Sequence, residues 1–220
     1  MNSEKIVQRF AARDEAGMEL MTPMVVSKEK KTLYLHLPKT GGSSIVRLLQ
    51  NNEFDDYVLS DKRNSYETKL AYFRDVAAHW DEYYKFTFVR NKFDLLISLY
   101  NYDRQLNGPW SLDSSVSFED FIRNHVRCVD TRVKRVQYHR FIDQYYLTHI
   151  DGEPLFDFIG HFNTYTEDLN KVSEHLGVEN TQIHVNAGNY DRSKKDEYYT
   201  PELADILRAK FPEEFAHFGW

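Results

Sequence analysis

The chain has 220 residues, 41% of them hydrophobic and 15% aromatic, which is enough for one well-buried α/β core and short for two independent catalytic domains. A formal net charge of -6 and a pI near 5.8 exclude a general nucleic-acid binder, which needs a summed positive field to displace counterions from phosphates, although a local cluster can still hold a small anion. Cys128 is the single cysteine, so no intrachain disulfide forms and the cytoplasm is the default compartment.

Residues 1–31 mix charges with scattered apolar side chains and finish in Lys28-Glu29-Lys30-Lys31. They read as a solvated N-terminal extension, helical over Arg9 to Leu20, ahead of the main domain spanning 32–220. No stretch approaches the roughly 20 apolar residues of a membrane-spanning helix, and Met1 to Phe10 carries charges where a signal peptide has its apolar segment. From Thr32 to Leu37 the apolar run predicts a buried strand that stops at Pro38. A turn at Gly41-Gly42 follows, and Ser43-Ser44 ahead of Ile45, Val46, Leu48 and Leu49 predicts a helix start.

A second strand-turn-helix unit is predicted at Lys85 to Arg90, Asn91-Lys92 and Phe93 to Leu106, closed by Gly108-Pro109. Beyond it the pattern predicts a helix from Ser117 to about Val126, an aromatic-rich helix from Val136 to Leu147, and a strand at Leu155 to Ile159. A helix over Thr166 to Leu176 stops at Gly177, a short strand follows at Gln182 to Val185, and a last helix starts at Thr200-Pro201 and runs to about Phe211. Strands separated by helices imply an α/β single domain with a mainly parallel central sheet flanked by helices.

The turn Leu37-Pro38-Lys39-Thr40-Gly41-Gly42-Ser43-Ser44 carries the strongest chemical signal. A helix N-terminus leaves backbone N–H groups unpaired and partly positive, and glycines let a backbone approach an anion closely. Thr40, Ser43 and Ser44 add hydroxyl donors and Lys39 adds a full charge. An ordinary strand-to-helix turn has the same outline, but the Walker form is excluded because the lysine precedes the glycines.

His36-Leu37-Pro38-Lys39-Thr40-Gly41-Gly42-Ser43-Ser44 resembles the 5′-phosphosulfate loop of sulfotransferases that use 3′-phosphoadenosine 5′-phosphosulfate (PAPS), especially the carbohydrate (heparan and chondroitin type) branch. Phe86 to Tyr100, through Val89-Arg90-Asn91 and Ser98, resembles that family's 3′-phosphate segment. The resemblance extends over roughly Thr32 to Trp220, through Phe158-Ile159-Gly160-His161-Phe162 and the closing Phe215-Ala216-His217-Phe218-Gly219-Trp220. Where many relatives carry Arg-Phe-Glu-Asn, this chain has His161-Phe162-Asn163-Thr164.

The resemblance implies a P-loop-like site in which Pro38, Lys39, Thr40, Gly41, Gly42, Ser43 and Ser44 hold the phosphosulfate, while Arg90 and Ser98 grip the 3′-phosphate. A guanidinium fork suits that dianion independently. Lys39 is expected to neutralise the leaving oxygen. His79 is the expected base, with Asp81 and Glu82 as alternatives, and its structural alternative is packing beside Trp80. His36, on the strand, is expected to support the loop.

Arg192, Lys194 and Lys195 form either a basic lid over the cofactor or a solvated surface. Arg127, Arg132, Lys134, Arg135 and Arg140 form either a receiver for an acidic saccharide or a solvated helix face. No metal is implied, since the nine histidines lack paired ligand spacing. The expected partner is a hydroxyl-bearing acceptor, a saccharide, glycolipid or small metabolite. Two other readings remain: an ATP-dependent small-molecule kinase and a non-catalytic module that binds PAP, the desulfated product.

Overall fold

The computed structural model describes residues 2–13, 19–21, 23–55, 57–58, 64–106, 111–126, 143–179 and 195–220. The expected stop at Gly108-Pro109, the strand at Gln182 to Val185, the basic run from Arg127 to Arg140, and Arg192 and Lys194 lie outside these residues. So does most of the expected helix from Val136.

In chain order the elements begin with helix α1 (Ser3–Phe10) and the short strands β1 (Ala11–Arg13) and β2 (Glu19–Met21). Strands β3 (Met24–Ser27) and β4 (Thr32–Leu35), helix α2 (Gly42–Asn51), β5 (Tyr57–Val58), α3 (Tyr66–Ala78) and β6 (Tyr84–Val89) follow. Next come α4 (Lys92–Gln105), α5 (Phe118–Asp120), which continues into a π-helical turn over Phe121–His125, α6 (Gln144–Thr148), β7 (His149–Ile150), β8 (Glu153–Pro154) and β9 (Phe158–His161). Helices α7 (Tyr165–Leu176), α8 (Lys195–Tyr198), α9 (Pro201–Lys210) and α10 (Pro212–Phe218) complete the order.

These elements form two compact units, each assembled from two separated stretches: 1–89 with 147–185, and 90–146 with 186–220. The first unit holds a five-stranded sheet in the order β5-β3-β4-β6-β9. Strands β4, β6 and β9 are parallel neighbours, and β3 is antiparallel to both β4 and β5, so only β3 opposes the common direction. The mostly parallel α/β sheet expected from the sequence is therefore present. Every residue of β4 and β3 is buried, which explains why β4 reads as a continuous apolar run instead of an alternating one. Tyr34, Phe86 and Phe88 on one face pack with Ile45, Leu48 and Leu49 of α2 and Leu169 and Val172 of α7.

The described residues ahead of Thr32 are not a solvated lead-in. The run Lys28-Glu29-Lys30-Lys31 is the tip of a β3–β4 hairpin, with Lys31 in the left-handed region and the Ser27 hydroxyl accepting from Lys30 N–H at 3.1 Å. The charges sit at a turn, where solvation is free, and the apolar Met24-Val25-Val26 ahead of them enters the sheet. The helix lies nearer the terminus than Arg9 to Leu20: α1 buries Ile6, Val7 and Phe10, and Phe10 meets Phe73 of α3 edge-on at 6.1 Å.

The second unit is helical around α4. Its core joins Leu95, Leu96, Ile97 and Leu99 to Phe118, Phe121 and Ile122 and to Leu203, Leu207 and Phe211. Asn91 caps α4 by accepting from Phe93 N–H at 3.1 Å, and Thr200 caps α9 with Pro201 in its first turn. The helix expected from Ser117 is one α-turn, capped by that serine, before the π-helical turn.

Candidate functional site

Strands β4 and β6 run in parallel with Leu35 beside Thr87, so the chain leaves both at the same, carboxyl end of the sheet. In open α/β sheets this edge is where ligands are received. The Lys39 turn follows β4 there, and Arg90 is the next residue after β6.

The turn is set by internal contacts. Lys39 has φ 63°, a left-handed conformation that costs a non-glycine residue about 1–3 kcal/mol and persists only where its surroundings impose it. Thr40 is fully buried, and its hydroxyl donates to Leu37 C=O at 2.7 Å. That bond closes the loop from within, so the hydroxyl braces the turn and is not a donor turned outward.

Gly41, at φ 84°, caps α2, and a Cβ on it would lie 2.7 Å from the Tyr165 ring. A Cβ on Gly42 would lie 2.1 Å from His36 Cδ2. Both glycines therefore let aromatic rings approach the loop where a side chain would collide with them. Tyr165 completes the brace by donating its hydroxyl to Gly41 C=O at 3.0 Å.

No side chain caps α2. The Ser44 N–H donates to Gly41 C=O at 3.2 Å, and the partly positive start of this ten-residue helix, with Lys39 in the turn ahead of it, fits a phosphate or sulfate group. Ser44 is buried and Ser43 exposed, and Pro38 lies half-buried in the preceding turn. Burial holds the His36 pKa down to about 4, so its imidazole is neutral where it packs on Gly42 and stacks with Tyr34 at 6.0 Å. Burial also pushes the Tyr165 phenol up to about 12 and Tyr34 well above its usual range. The loop therefore rests on uncharged rings at ordinary pH.

In the second unit Arg90 is buried and Ser98 is half-buried, two turns into α4 between the buried Ile97 and Leu99. The Arg90 backbone is held at both polar groups by one side chain: its N–H donates to Gln144 Oε1 at 2.8 Å, and its C=O accepts from Gln144 Nε2 at 2.8 Å. Gln144 in turn gives its own N–H and its amide to the two oxygens of Glu214, at 2.7 Å each. Lys92 Nζ meets Glu214 Oε2 at 2.9 Å, with both side chains fully buried. Burial raises the Glu214 pKa, and the Lys92 charge and the bonds from Lys92 and Gln144 oppose it.

The structure does not bring His79 to the Lys39 turn. It ends α3, just before β6 begins at Tyr84, and Tyr84 pairs with Thr32 at the amino end of β4. The length of a strand, roughly 13 Å at 3.3 Å per residue, separates it from the loop. There it is half-exposed, with Nδ1 2.9 Å from Asp75 C=O. Asp81 and Glu82 lie in the same short turn, and Glu82 pairs with Lys31 of the hairpin tip at 2.9 Å. At the carboxyl end stands His161, the last residue of β9, half-buried and with its pKa lowered chiefly by burial.

Lys195 pairs with Asp94 at 3.5 Å and lies over the Phe93 ring, so this member of the expected basic lid is tied to α4. Among the described residues no cluster of three or more His, Cys, Asp or Glu is placed to hold a metal ion, and no helix is long and apolar enough to cross a membrane.

A mostly parallel sheet with a strand-turn-helix unit at its carboxyl end defines an α/β protein that receives ligands at that end. The chain matches the model of the sulfotransferase family over residues 22–218, and it belongs to that family, whose chemistry is the transfer of a sulfuryl group to a hydroxyl-bearing acceptor. The match takes in β3, which the sequence reading had placed outside the domain. Comparisons with curated proteins and with solved structures return no match.

Gln144, Glu214, Tyr165 and the bracing role of Thr40 were not visible in the sequence. Gln144 lies 54 residues from Arg90 and 70 from Glu214, and Tyr165 lies 124 from Gly41, so nothing local marks them.

Proposed function

We propose that this chain is an enzyme that moves a sulfuryl group from PAPS to a hydroxyl of a carbohydrate, glycolipid or small metabolite in the cytoplasm. The observation that carries the donor assignment is the uncapped start of α2 behind Lys39, a strained loop braced from below by Thr40, Tyr165 and His36. The donor supplies the sulfuryl group: a bond forms from the acceptor oxygen to sulfur as the bond from sulfur to the 5′-phosphate oxygen breaks.

Amides of residues 42 and 43 at the start of α2 hold the 5′-phosphosulfate in this reading, and Lys39 neutralises the charge that grows on the leaving oxygen. A flexible ammonium tracks that charge from ground state to transition state. Arg90 and Ser98 take the 3′-phosphate, and Arg192 is a further cofactor-binding residue in the same reading. The acceptor proton needs a base at the carboxyl edge, and His161, neutral at ordinary pH, replaces His79 in that role.

PAP is expected to raise the thermal midpoint, and Lys39→Ala to abolish transfer from labelled PAPS across a panel of saccharides, glycolipids and phenols with only a modest loss of PAP affinity. No shift at saturating PAP refutes the donor assignment. Magnesium-dependent ATP turnover would favour a kinase, and PAP binding without turnover on any acceptor a non-catalytic module.

A further inference from the structure

We infer that Gln144 and Glu214 are positioning residues for Arg90, acting through its backbone. The inference rests on the reading that Arg90 grips the 3′-phosphate. Val89 makes the last β6 pairing, with His161, so at Arg90 the ladder ends and a buried residue needs other partners for its N–H and C=O. One side-chain amide supplies both, in place of a neighbouring strand.

An amide can do this in one orientation only. Its oxygen must face the Arg90 N–H, and its nitrogen must serve the Arg90 carbonyl. Glu214 sets that orientation, because an ionised carboxylate only accepts and so draws the Gln144 Nε2 toward its Oε1 at 2.7 Å. The second carboxylate oxygen takes the Gln144 N–H and the Lys92 ammonium. The anchor thus links the first turn of α4, the start of α6 and α10 to a single residue.

Stability alone does not account for it. A fully buried ion pair is expensive to desolvate, and packed apolar residues of the same volume commonly do as well or better. Charges and a polar amide fix direction where an apolar filling would not, and direction matters at the residue that must present a guanidinium fork to a phosphate.

The test is calorimetric titration of the full chain with PAP and with AMP, which lacks the 3′-phosphate. Variants are first checked as folded at the working temperature by circular dichroism. Wild type is expected to prefer PAP. Gln144→Ala, and the paired change Lys92→Met with Glu214→Leu that strands no charge, should each cut the PAP-over-AMP preference about tenfold while AMP affinity holds. Because one variant removes the amide and the other the ion pair, failure of either to fold leaves the other to decide.

An unchanged preference in a folded variant, or an equal loss for both ligands, overturns the positioning role. A wild type with no preference for PAP overturns the 3′-phosphate reading of Arg90, and the role with it.

Discussion

In the Lys39 turn the fixing is done by rings. Tyr165, His36 and Tyr34 press against two glycines, a buried hydroxyl closes the loop, and none of the ring groups is charged at neutral pH. In the Arg90 segment it is done by buried charge, with Lys92, Glu214 and Gln144 forming a continuous polar chain to one backbone position. The difference follows from what each must present. The turn offers backbone amides, whose geometry depends on space and dihedral angles, so sterics suffice. The segment offers a long side chain, and only directional bonds fix where it starts.

The two regions should therefore break under different insults. Glu214→Leu alone strands the buried Lys92 ammonium and should lower the unfolding free energy by about 3–5 kcal/mol in urea titration, with Lys92→Met in the same chain recovering most of it. At the turn the insult is volume. Gly42→Ala drives a Cβ to 2.1 Å from His36, and the overpacking should cost up to about 3 kcal/mol. That figure corresponds to about a hundredfold in PAP affinity if it falls wholly on the turn's binding geometry.

Acid separates them in sign. His36 has its pKa depressed from 6.5 to about 4, so below 6.5 the unfolded chain takes up a proton that the folded chain refuses. The contribution is complete above pH 6.5 and is lost as pH falls toward 4. Glu214, raised by burial, is displaced the other way, and its contribution is present in acid and lost as pH rises. The stability gap between wild type and His36→Asn should accordingly narrow by about 2–3 kcal/mol between pH 7 and pH 4.5, read from urea midpoints at each pH. A gap that stays constant would mean that His36 titrates normally. The smallest effect belongs to His79→Ala, which should leave kcat/KM for sulfuryl transfer within about twofold, because the side chain is half-exposed at the far end of the sheet.

Much of this architecture was legible because its signals are local. Thr200-Pro201 and Gly177 mark helix ends through capping chemistry that involves residues within a turn, and each stands where it was expected. The Lys39 turn was legible for the same reason, as one continuous strand-turn-helix segment. Strand β3 was not, since four residues beside a charge run carry little periodicity, and the charges proved to mark a hairpin tip. Helix α3 buries Tyr66, Phe73 and Val76 behind a Ser65 cap, but the buried Lys69 interrupts its apolar stripe.

The geometry of His79 shows the same limit from another side. The resemblance put a base just before the strand that ends at Arg90, but the direction of that strand leaves His79 at its amino end and the Lys39 turn at the carboxyl end. Sequence distance carries no sign along a strand until the sheet is known.

The most direct measurement is a crystal structure with PAP bound. The 5′-phosphate is expected on the amides at the start of α2 beside Lys39, and the 3′-phosphate against Arg90 with the Gln144 clamp intact. A nucleotide seated elsewhere, or a 3′-phosphate that Arg90 does not reach, would contradict it.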